Sequence, residues 1–570
     1  MTASLTDAFA HLIAALMSIP WWLVSGALVG GYLLYQLKHR AVAVGEPIIR
    51  GSRLLTLEEK AAEVAALTVA GQRFVAWGGI EIPFSKMHAH YAFLGTTRSG
   101  KSMSIQMLVR SVVVSDRQDA QGQRQLLHRG LFFDPKSDTY QMLLALGVPA
   151  DRILWLNPFD ARGCFWDIAQ DVTDLTSART IGRLLAPADE NASSDYWGNV
   201  TQALVGNVLW ELHQQRGAKW SLLDVVKAFD SVDTLKAALS RTEHGRIAFR
   251  SHIEENAPTT KGAIFSTIQT KIVELRIPAE FAAANPDMPR VSIGQWFRDG
   301  GQHRALLLCT VPKYEPALKA INSVLFTLAA LEVLSRPEEH PKDETWFILD
   351  EPRAAGRQAK LEDLLGTGAS KGVHVALSML DSEGFEAVYP KGVGSSLRQL
   401  CGNVSINALA NLATAQWAAQ VLGKQEVLRK SYGRSRSVSQ SKDGATTTEG
   451  ESEDARITER DLVLSNELMR LRPASADPLF MEGVYIMPDS NPWKGAAAPD
   501  FLQKWWIRTQ SLVLQPSIRP PDPEADTQGG APPETTKPDP NGGAGQAAPT
   551  QELDQPQARK KKTFRPRPED

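Results

Sequence analysis

The chain has 570 residues, which is more than one ordinary hydrophobic core accommodates and predicts two to four domains. Its 62 basic and 64 acidic residues give a formal net charge of −2, which excludes a strongly basic protein that coats nucleic acid through a broad electrostatic surface. The three cysteines, Cys164, Cys309 and Cys401, lie far apart without metal-binding spacing. We expect them to be buried, reduced thiols, which favours a reducing compartment for the main body.

An apolar segment near the amino terminus predicts a membrane helix. Residues 8–37 contain no Asp, Glu, Lys or Arg, and Trp21–Leu37 alone would form a helix of about 26 Å, close to the thickness of a hydrocarbon core. Asp7 precedes this segment and Lys38–Arg40 follow it, which is the inverse of the charge order of a secretory signal peptide. We therefore expect an uncleaved anchor within residues 1–45, with the bulk of the chain in the cytoplasm.

A glycine-rich loop lies between the apolar run Tyr91–Leu94 and a predicted helix over Met103–Val114. It matches the G-x-x-x-x-G-K-[ST] pattern of a nucleotide-triphosphate loop, in the strand, loop and helix order that this pattern requires. Glycines let the backbone close around phosphates, Lys101 adds a positive charge, and Ser102 can hold Mg²⁺. The sequence therefore predicts ATP and Mg²⁺ as cofactors. The predicted nucleotide-binding residues are Gly95, Thr96, Thr97, Arg98, Ser99, Gly100, Lys101 and Ser102.

Strand-like runs alternate with predicted helices on both sides of a long helical segment. The predicted strands are Tyr91–Leu94, Gly130–Asp134, Ile153–Asn157, Ala305–Cys309, Thr345–Glu351 and His374–Met379. This alternation favours an α/β fold with a mostly parallel sheet that is covered on both faces, interrupted by an inserted all-α domain. Residues 435–454 are expected to form a mobile loop, because they lack apolar side chains. The predicted parts are a membrane anchor (1–45), a nucleotide-binding domain in two pieces (46–172 and 291–512), the all-α insert (173–290) and a disordered Pro/Gly-rich tail with a basic end (513–570).

The run Phe347–Leu349 followed by Asp350 and Glu351 has the form of the second half of an ATPase site. Asp350 would bind the magnesium shell through its water ligands, and Glu351 would orient and deprotonate the hydrolytic water. Adjacent residues on a strand point in opposite directions, so the two carboxylates can have two roles. The predicted catalytic residues are thus Lys101, Asp350 and Glu351, and the predicted metal-binding residues are Ser102 and Asp350.

Taken together, these motifs resemble those of the TraG/TraD-like type IV secretion coupling proteins, which are membrane ATPases of bacterial conjugation. The similar segments occur in the family's order: His90 before the loop, Thr97–Lys101 within it, Asp134–Lys136, Asn157–Ala161 and Trp166–Asp167. The resemblance implies a RecA-like core, a homo-hexamer and a single-pass protein of the bacterial inner membrane beside a type IV secretion channel. It also implies that the cargo is single-stranded DNA carried by a relaxase, and that the all-α domain helps to recognise the relaxosome.

The chain departs from the family's usual pattern in two places. The strand after the acidic pair usually ends in Ala-Thr-Gln, whose glutamine is thought to sense the nucleotide, whereas this chain has Leu377–Asp381 with Ser378 as a weak substitute. Many relatives also have two membrane helices, and the sequence here supports one.

Three functions fit these features. The first is a motor that moves DNA, the second is the same ATPase acting on protein effectors, and the third is a nucleotide-gated docking receptor with little motor activity. For DNA, the sequence offers Lys261, Lys271 and Arg276 of the helical insert, although the pattern favours a solvated helix face for each of them. The arginines that could neutralise transition-state charge are Arg98, Arg353, Arg357, Arg398, Arg429, Arg434 and Arg436, and the sequence selects none of them.

Overall fold

The computed structural model describes residues 46–68, 72–118, 124–187, 196–337, 344–389, 399–441, 444–509 and 515. All of them lie in the first of two compact units, Met1–Pro521. The predicted membrane anchor at 1–45, and all of the predicted tail at 513–570 except residue 515, lie outside the described residues.

The strands are β1 (Ile48–Gly51), β2 (Phe74–Trp77), β3 (Ile80–Pro83), β4 (Tyr91–Leu94), β5 (Val114–Gln118), β6 (Arg124–Leu126), β7 (Arg129–Asp134), β8 (Ile153–Leu156), β9 (Phe165–Trp166), β10 (Arg290–Val291), β11 (Ala305–Cys309), β12 (Thr345–Leu349), β13 (Val373–Met379), β14 (Asn403–Ile406), β15 (Lys424–Ser441), β16 (Gly444–Asp461), β17 (Ser475–Ala476), β18 (Leu479–Ile486) and β19 (Trp493–Ala497).

The α-helices are α1 (Leu57–Ala65), α2 (Lys101–Val112), α3 (Thr139–Ala145), α4 (Ile168–Asp171), α5 (Leu175–Leu185), α6 (Tyr196–Arg216), α7 (Leu222–Ala228), α8 (Val232–Leu239), α9 (Glu243–Phe249), α10 (Pro258–Ile272), α11 (Arg276–Ala284), α12 (Ile293–Arg298), α13 (Glu315–Leu334), α14 (Pro352–Ala355), α15 (Leu361–Thr367), α16 (Ser382–Val388), α17 (Leu412–Leu422), α18 (Ser465–Met469) and α19 (Pro499–Trp505).

A ten-stranded mixed sheet forms the centre of the fold, in the order β17-β18-β14-β4-β13-β12-β7-β11-β8, with β19 paired to β18. The strands from β14 to β8 are parallel to their neighbours, whereas β18 is antiparallel to β14. Every residue of β7, β11, β12 and β13 is buried, because helices cover both faces of a parallel sheet. The predicted strands and their parallel pairing are confirmed, and the antiparallel edge is an addition that the sequence did not indicate.

One long apolar helix covers this sheet. Among the described residues, Pro312–Leu334 is the helical segment that has the length and hydropathy to cross a membrane. It is mostly buried inside the protein, where Leu318, Val324 and Leu325 are inaccessible to solvent. Packing against the sheet therefore accounts for its apolar composition.

The helices from α5 to α11 follow one another, and no strand lies between them in the described residues 175–187 and 196–284. The chain leaves the ten-stranded sheet after β8 and rejoins it at β11, and the short strands β9 and β10, which flank the helical part, pair in parallel. The buried carboxylate of Asp171 links β9 to the segment after β10. It accepts hydrogen bonds at 2.8–3.1 Å from Trp166 Nε1, Ser292 Oγ, Ile293 N and Gly294 N. The first turn of α12 is thereby fixed to the segment that precedes the helices.

A long β-hairpin replaces the loop that the sequence predicted over 435–454. Strands β15 and β16 pair antiparallel from Lys424↔Asp461 to Ser441↔Gly444, and β1 pairs with the start of β15. The prediction was wrong because it considered only burial. An antiparallel ribbon satisfies its backbone hydrogen bonds by itself, so it forms without apolar side chains.

The three cysteines are buried thiols, as predicted. Burial raises the pKa of both Cys164 and Cys401 to about 12, so these thiols are protonated and unreactive at neutral pH.

Candidate nucleotide site

The glycine-rich loop connects the buried strand β4 to helix α2, as the sequence predicted. Gly100 adopts φ 107° at the N-cap of α2, and Arg98 adopts φ 63°. These left-handed conformations turn the backbone sharply between strand and helix. Ala474 N donates to Arg98 O at 3.1 Å and Thr96 N donates to Ala408 O at 2.9 Å, so neighbouring segments hold the loop from outside.

Two observations within the loop fit a phosphate group. A Cβ atom added at Gly95 would overlap Ser99 Oγ and lie 3.0 Å from Ser99 Cβ and 3.1 Å from Asn407 Cβ, so a side chain at this position would displace Ser99. The hydroxyl of Ser99 is buried and has no hydrogen-bond partner among the described residues. A buried polar group without a protein partner is costly, and a ligand oxygen beside it would satisfy it.

Lys101 begins α2 and lies under the loop. Its side chain is 6% exposed, and its ammonium donates a hydrogen bond to Gly95 O. Burial lowers the pKa of Lys101 to about 8, while the nearby carboxylates of Asp350 and Glu351 act in the opposite direction. The lysine is therefore cationic at neutral pH and lies in the electrostatic field of the acidic pair. Ser102 is exposed on the first turn of the same helix.

Asp350 and Glu351 follow directly on β12, two strands away from the loop. Strand β13 lies between β12 and β4, and the register aligns Leu349 with Leu377 and Leu94 with Met379. The carboxyl ends of parallel strands meet at one edge of a sheet, and ligands bind at this edge. The structure therefore brings together the loop and the acidic pair, which are separated by 248 positions between Ser102 and Asp350.

Two further side chains contact the acidic pair. Lys136, in the turn after β7, lies with Nζ 3.3 Å from Asp350 Oδ2 and 2.9 Å from Glu351 Oε1. Burial lowers the pKa of Lys136, but the two carboxylates outweigh this effect and raise it. Ser378, on β13, donates from Oγ to Asp350 Oδ1 at 2.7 Å and accepts from Glu351 N at 3.3 Å.

The sequence motifs around Lys136 include residues that stabilise turns. Asp134 ends β7 and accepts from Asp138 N and Thr139 N at 3.1 and 3.2 Å, which fixes the start of α3. Burial, with the neighbouring Asp138, raises the pKa of Asp134 to about 7. Asp160 is inaccessible to solvent and binds the Arg162 guanidinium through both carboxylate oxygens at 2.8 Å. Asp134 therefore fixes the turn that carries Lys136, and Asp160 is neutralised by Arg162.

His90 precedes β4 and is 3% exposed. Val375 N donates to its Nδ1 at 3.1 Å, so the ring proton is on Nε2, which donates to Leu365 O at 3.0 Å. Burial, with a contribution from His374, lowers the pKa of His90 to about 4. The ring is thus neutral and joins β4 to β13 and α15, the elements that support the loop.

The arginines proposed from sequence differ in their positions. Arg353 lines a cavity of about 390 Å³ together with Glu351, Ser378 and Asp381, so it is at the edge of the site. Arg98 is exposed within the loop itself. Arg429 lies 3.7 Å from Glu46, in the hairpin region. Arg357 is exposed, whereas the side chains of Arg398, Arg434 and Arg436 lie outside the described part of the chain.

The basic residues proposed for the helical part already form ion pairs or hydrogen bonds within the protein, or are only partly exposed. Arg276 pairs with Asp230 and with Glu280, Lys271 donates to Pro187 O, and Lys261 is half-buried.

A groove of about 480 Å³ in the same helical part offers different basic side chains. Its lining includes Arg179, Arg183, His244 and His252, and no carboxylate lines it among the residues that the structure describes. Neither arginine forms an ion pair with a described residue. We call this feature the Arg179–Arg183 groove.

The fold and the loop define an α/β nucleotide-binding protein. A family model described as "Type IV secretion-system coupling protein DNA-binding domain" matches residues 74–492. The chain therefore belongs to the type IV secretion-system coupling protein family, and the resemblance seen in its motifs is confirmed. No curated protein matches the chain.

Three similar solved structures are those of a plasmid conjugative coupling protein, TrwB. The unbound TrwBdeltaN70 structure is 17% identical with a TM-score of 0.62, covering 83% of this chain and 98% of that one. TrwB with ADP and Mg²⁺ is 18% identical with a TM-score of 0.60, covering 84% and 99%. TrwB with the ATP analogue ADPNP is 18% identical with a TM-score of 0.60, covering 82% and 97%. At this identity the likeness shows a shared fold.

Proposed function

We propose that this coupling protein is a membrane-anchored ATPase that recruits single-stranded DNA with its relaxase and drives it into a conjugative channel by ATP hydrolysis. One observation carries the proposal. The loop after β4 and the acidic pair after β12 meet at the carboxyl edge of the sheet, with cationic Lys101 in the field of Asp350 and Glu351. The TrwB structures with ADP and Mg²⁺ and with ADPNP support the choice of cofactors for this fold.

The residues divide the chemistry as follows. ATP would supply the phosphoanhydride bond, and Mg²⁺, when bound, would neutralise charge on the phosphate oxygens. The backbone N–H groups of Gly95–Ser102 and the Lys101 ammonium would hold the phosphates, while the Ser102 hydroxyl and Asp350 would hold the metal and its water. A carboxylate oxygen of Glu351 accepts the proton of the attacking water. Arg353, which lines the same cavity as Glu351, is available to stabilise developing negative charge.

The proposal extends to the organisation of the chain. Residues 46–172 and 291–512 form a RecA-like core, 173–290 an inserted all-α domain and 513–570 a disordered tail with a basic end. Residues 1–45 anchor the protein in the bacterial inner membrane by a single helix. The working form is a homo-hexamer that contacts the relaxosome and the components of the type IV secretion channel. The parallel pairing of β9 and β10, the two short strands that flank the helical part, supports the insertion.

DNA contacts are assigned to the Arg179–Arg183 groove rather than to Arg276 or Lys271. A phosphodiester group binds most readily to a cation that is not already paired with a carboxylate. The groove offers two guanidinium groups of this kind, those of Arg179 and Arg183. The near-neutral net charge fits a motor that must release the strand it moves, because few phosphate contacts hold it.

The decisive experiment compares Lys101→Ala with Lys86→Ala, an exposed lysine outside the site. We expect Lys101→Ala to abolish ATP hydrolysis and DNA transfer while membrane insertion is retained, and Lys86→Ala to behave like the wild type. Single-stranded DNA should stimulate hydrolysis by the wild type. Undiminished DNA transfer by Lys101→Ala would refute the motor. Normal conjugation with lost effector export on deletion would identify protein cargo, and turnover that ignores DNA would identify a docking receptor.

A further inference from the structure

Ser378 is buried in the middle of the hydrolytic edge of the sheet. It lies on β13, between the strand that carries the loop and the strand that carries the acidic pair, and is 1% exposed. Its hydroxyl uses its single proton on Asp350 Oδ1, at 2.7 Å, and one lone pair on Glu351 N, at 3.3 Å. One side chain is therefore bonded to both acidic residues, to the carboxylate of the first and to the backbone of the second.

These two bonds fix features that hydrolysis needs. With Oδ1 of Asp350 bound to Ser378, Oδ2 is the oxygen that faces the site, where it lies 3.3 Å from Lys136 Nζ. Glu351 adopts φ 60°, a left-handed conformation that costs a non-glycine residue about 1 kcal/mol or more. The hydrogen bond from Glu351 N to Ser378 helps to hold this conformation, which turns the Glu351 side chain out of the strand direction.

We infer that Ser378 is a positioning residue for the Mg²⁺-nucleotide site, one that aims Asp350 at the metal and Glu351 at the attacking water. The inference rests on the proposed function, because it assigns those roles to the two acids. Ser378 itself exchanges no proton with the substrate and acts only through its two neighbours. Hydrogen bonds to charged groups are the strong ones, so their loss is expected to be measurable.

The test compares Ser378→Ala with a matched control, Ser111→Ala. Ser111 is also buried, donates from Oγ to Met107 O at 2.7 Å and accepts from Ala76 N at 3.0 Å, but lies towards the far end of α2. Both variants lose one buried hydroxyl with the same hydrogen-bonding pattern, so any difference between them reports the position of Ser378. Ser378→Thr keeps the hydroxyl and serves as the rescue variant.

The primary measurement is binding of a fluorescent ADP analogue to the full-length protein in detergent across a Mg²⁺ titration. For Ser378→Ala we expect the Mg²⁺ half-saturation to rise about tenfold, with Mg²⁺-free nucleotide affinity unchanged. We expect kcat for ATP to fall about tenfold to a hundredfold while KM changes less than about twofold. Ser378→Thr should recover most of both losses, and Ser111→Ala should show neither.

The outcomes separate this inference from the proposed function. If Ser378→Ala and Ser111→Ala lower the melting temperature alike and leave the Mg²⁺ half-saturation unchanged, Ser378 is only structural and the inference fails. If the wild type binds Mg²⁺-nucleotide but does not hydrolyse it, the proposed ATPase fails, and the Mg²⁺ titration still reports whether Ser378 positions Asp350. A Mg²⁺ shift in Ser378→Ala that Ser378→Thr reverses supports the inference.

Discussion

The protonation of His90 predicts how the stability of the core depends on pH. The neutral ring accepts from Val375 N through Nδ1 and donates to Leu365 O through Nε2. Protonation would place a second ring N–H against the Val375 N–H, inside a site that is 3% exposed. Burial, together with His374, accordingly lowers the pKa of His90 from 6.5 to about 4. The unfolded chain therefore takes up a proton at a higher pH than the folded chain.

The sign and size of the effect follow from this difference. A base whose pKa is depressed by folding contributes stability that is complete above its unfolded pKa of 6.5 and is lost as the pH falls through its folded pKa of about 4. Linkage gives a loss of about 2 kcal/mol between pH 7 and pH 5 from this one group. His90→Gln supplies an acceptor and a donor without titrating, so it should remove that part of the pH dependence.

The assay is urea unfolding of the purified protein at pH 7 and pH 5, followed by tryptophan fluorescence. Trp346 stacks on His374 at a ring distance of 4.4 Å and reports on this part of the core. His88→Gln is the matched control, because His88 is an exposed histidine two residues away. Between pH 7 and pH 5, the free energy of unfolding falls in each protein. We expect this fall to be about 2 kcal/mol smaller in His90→Gln than in the wild type or in His88→Gln. Parallel losses in all three proteins would refute the assignment.

Three further changes test the loop, the groove and the base of the helical part. Gly95→Ala should weaken nucleotide binding at least about tenfold while circular dichroism is unchanged, because its Cβ would collide with Ser99 Oγ; unaltered binding would mean that the loop is not the cradle. Replacing Arg179 and Arg183 by Ala should lower the slope of log affinity for single-stranded DNA against log salt by about one to two, and an unchanged slope would place the DNA elsewhere. Asp171→Ala should cost about 3 kcal/mol in urea unfolding, because four hydrogen bonds lose their acceptor, and a cost below about 1 kcal/mol would contradict that.

Local pattern sufficed to predict much of the core. The helix predicted over Met103–Val114 is α2, Lys101–Val112, and the strand predicted over Gly130–Asp134 is β7, Arg129–Asp134. These elements are predictable because central parallel strands are apolar along their whole length and are bounded by turn residues. The hairpin of β15 and β16 was not predicted from the sequence. Its strands are held by backbone hydrogen bonds, which leave little signal in a polar sequence.

Residues with no recognisable local pattern were the ones that the sequence could not place. Lys136 was visible only as part of a family motif, and its contact with Asp350 spans 214 residues of sequence. Ser378 was noted as a weak substitute for a glutamine, whereas its hydroxyl in fact bonds to both acids. A single lysine or serine carries no periodicity, so only the strand order that brings it to the carboxyl edge gives it a role.

The sequence by itself determined the nucleotide loop, the acidic pair, the apolar strands and the family. Each of these can be recognised from a short run of consecutive residues. The tertiary structure decided which side chains share the site. It brought Lys136 and Ser378 to Asp350, buried His90 between β4, β13 and α15, paired Arg276 with carboxylates and left Arg179 and Arg183 unpaired by any described carboxylate. The physical reason is that charge pairing and burial depend on distances in the folded chain, which residues far apart in sequence acquire only when the parallel strands align.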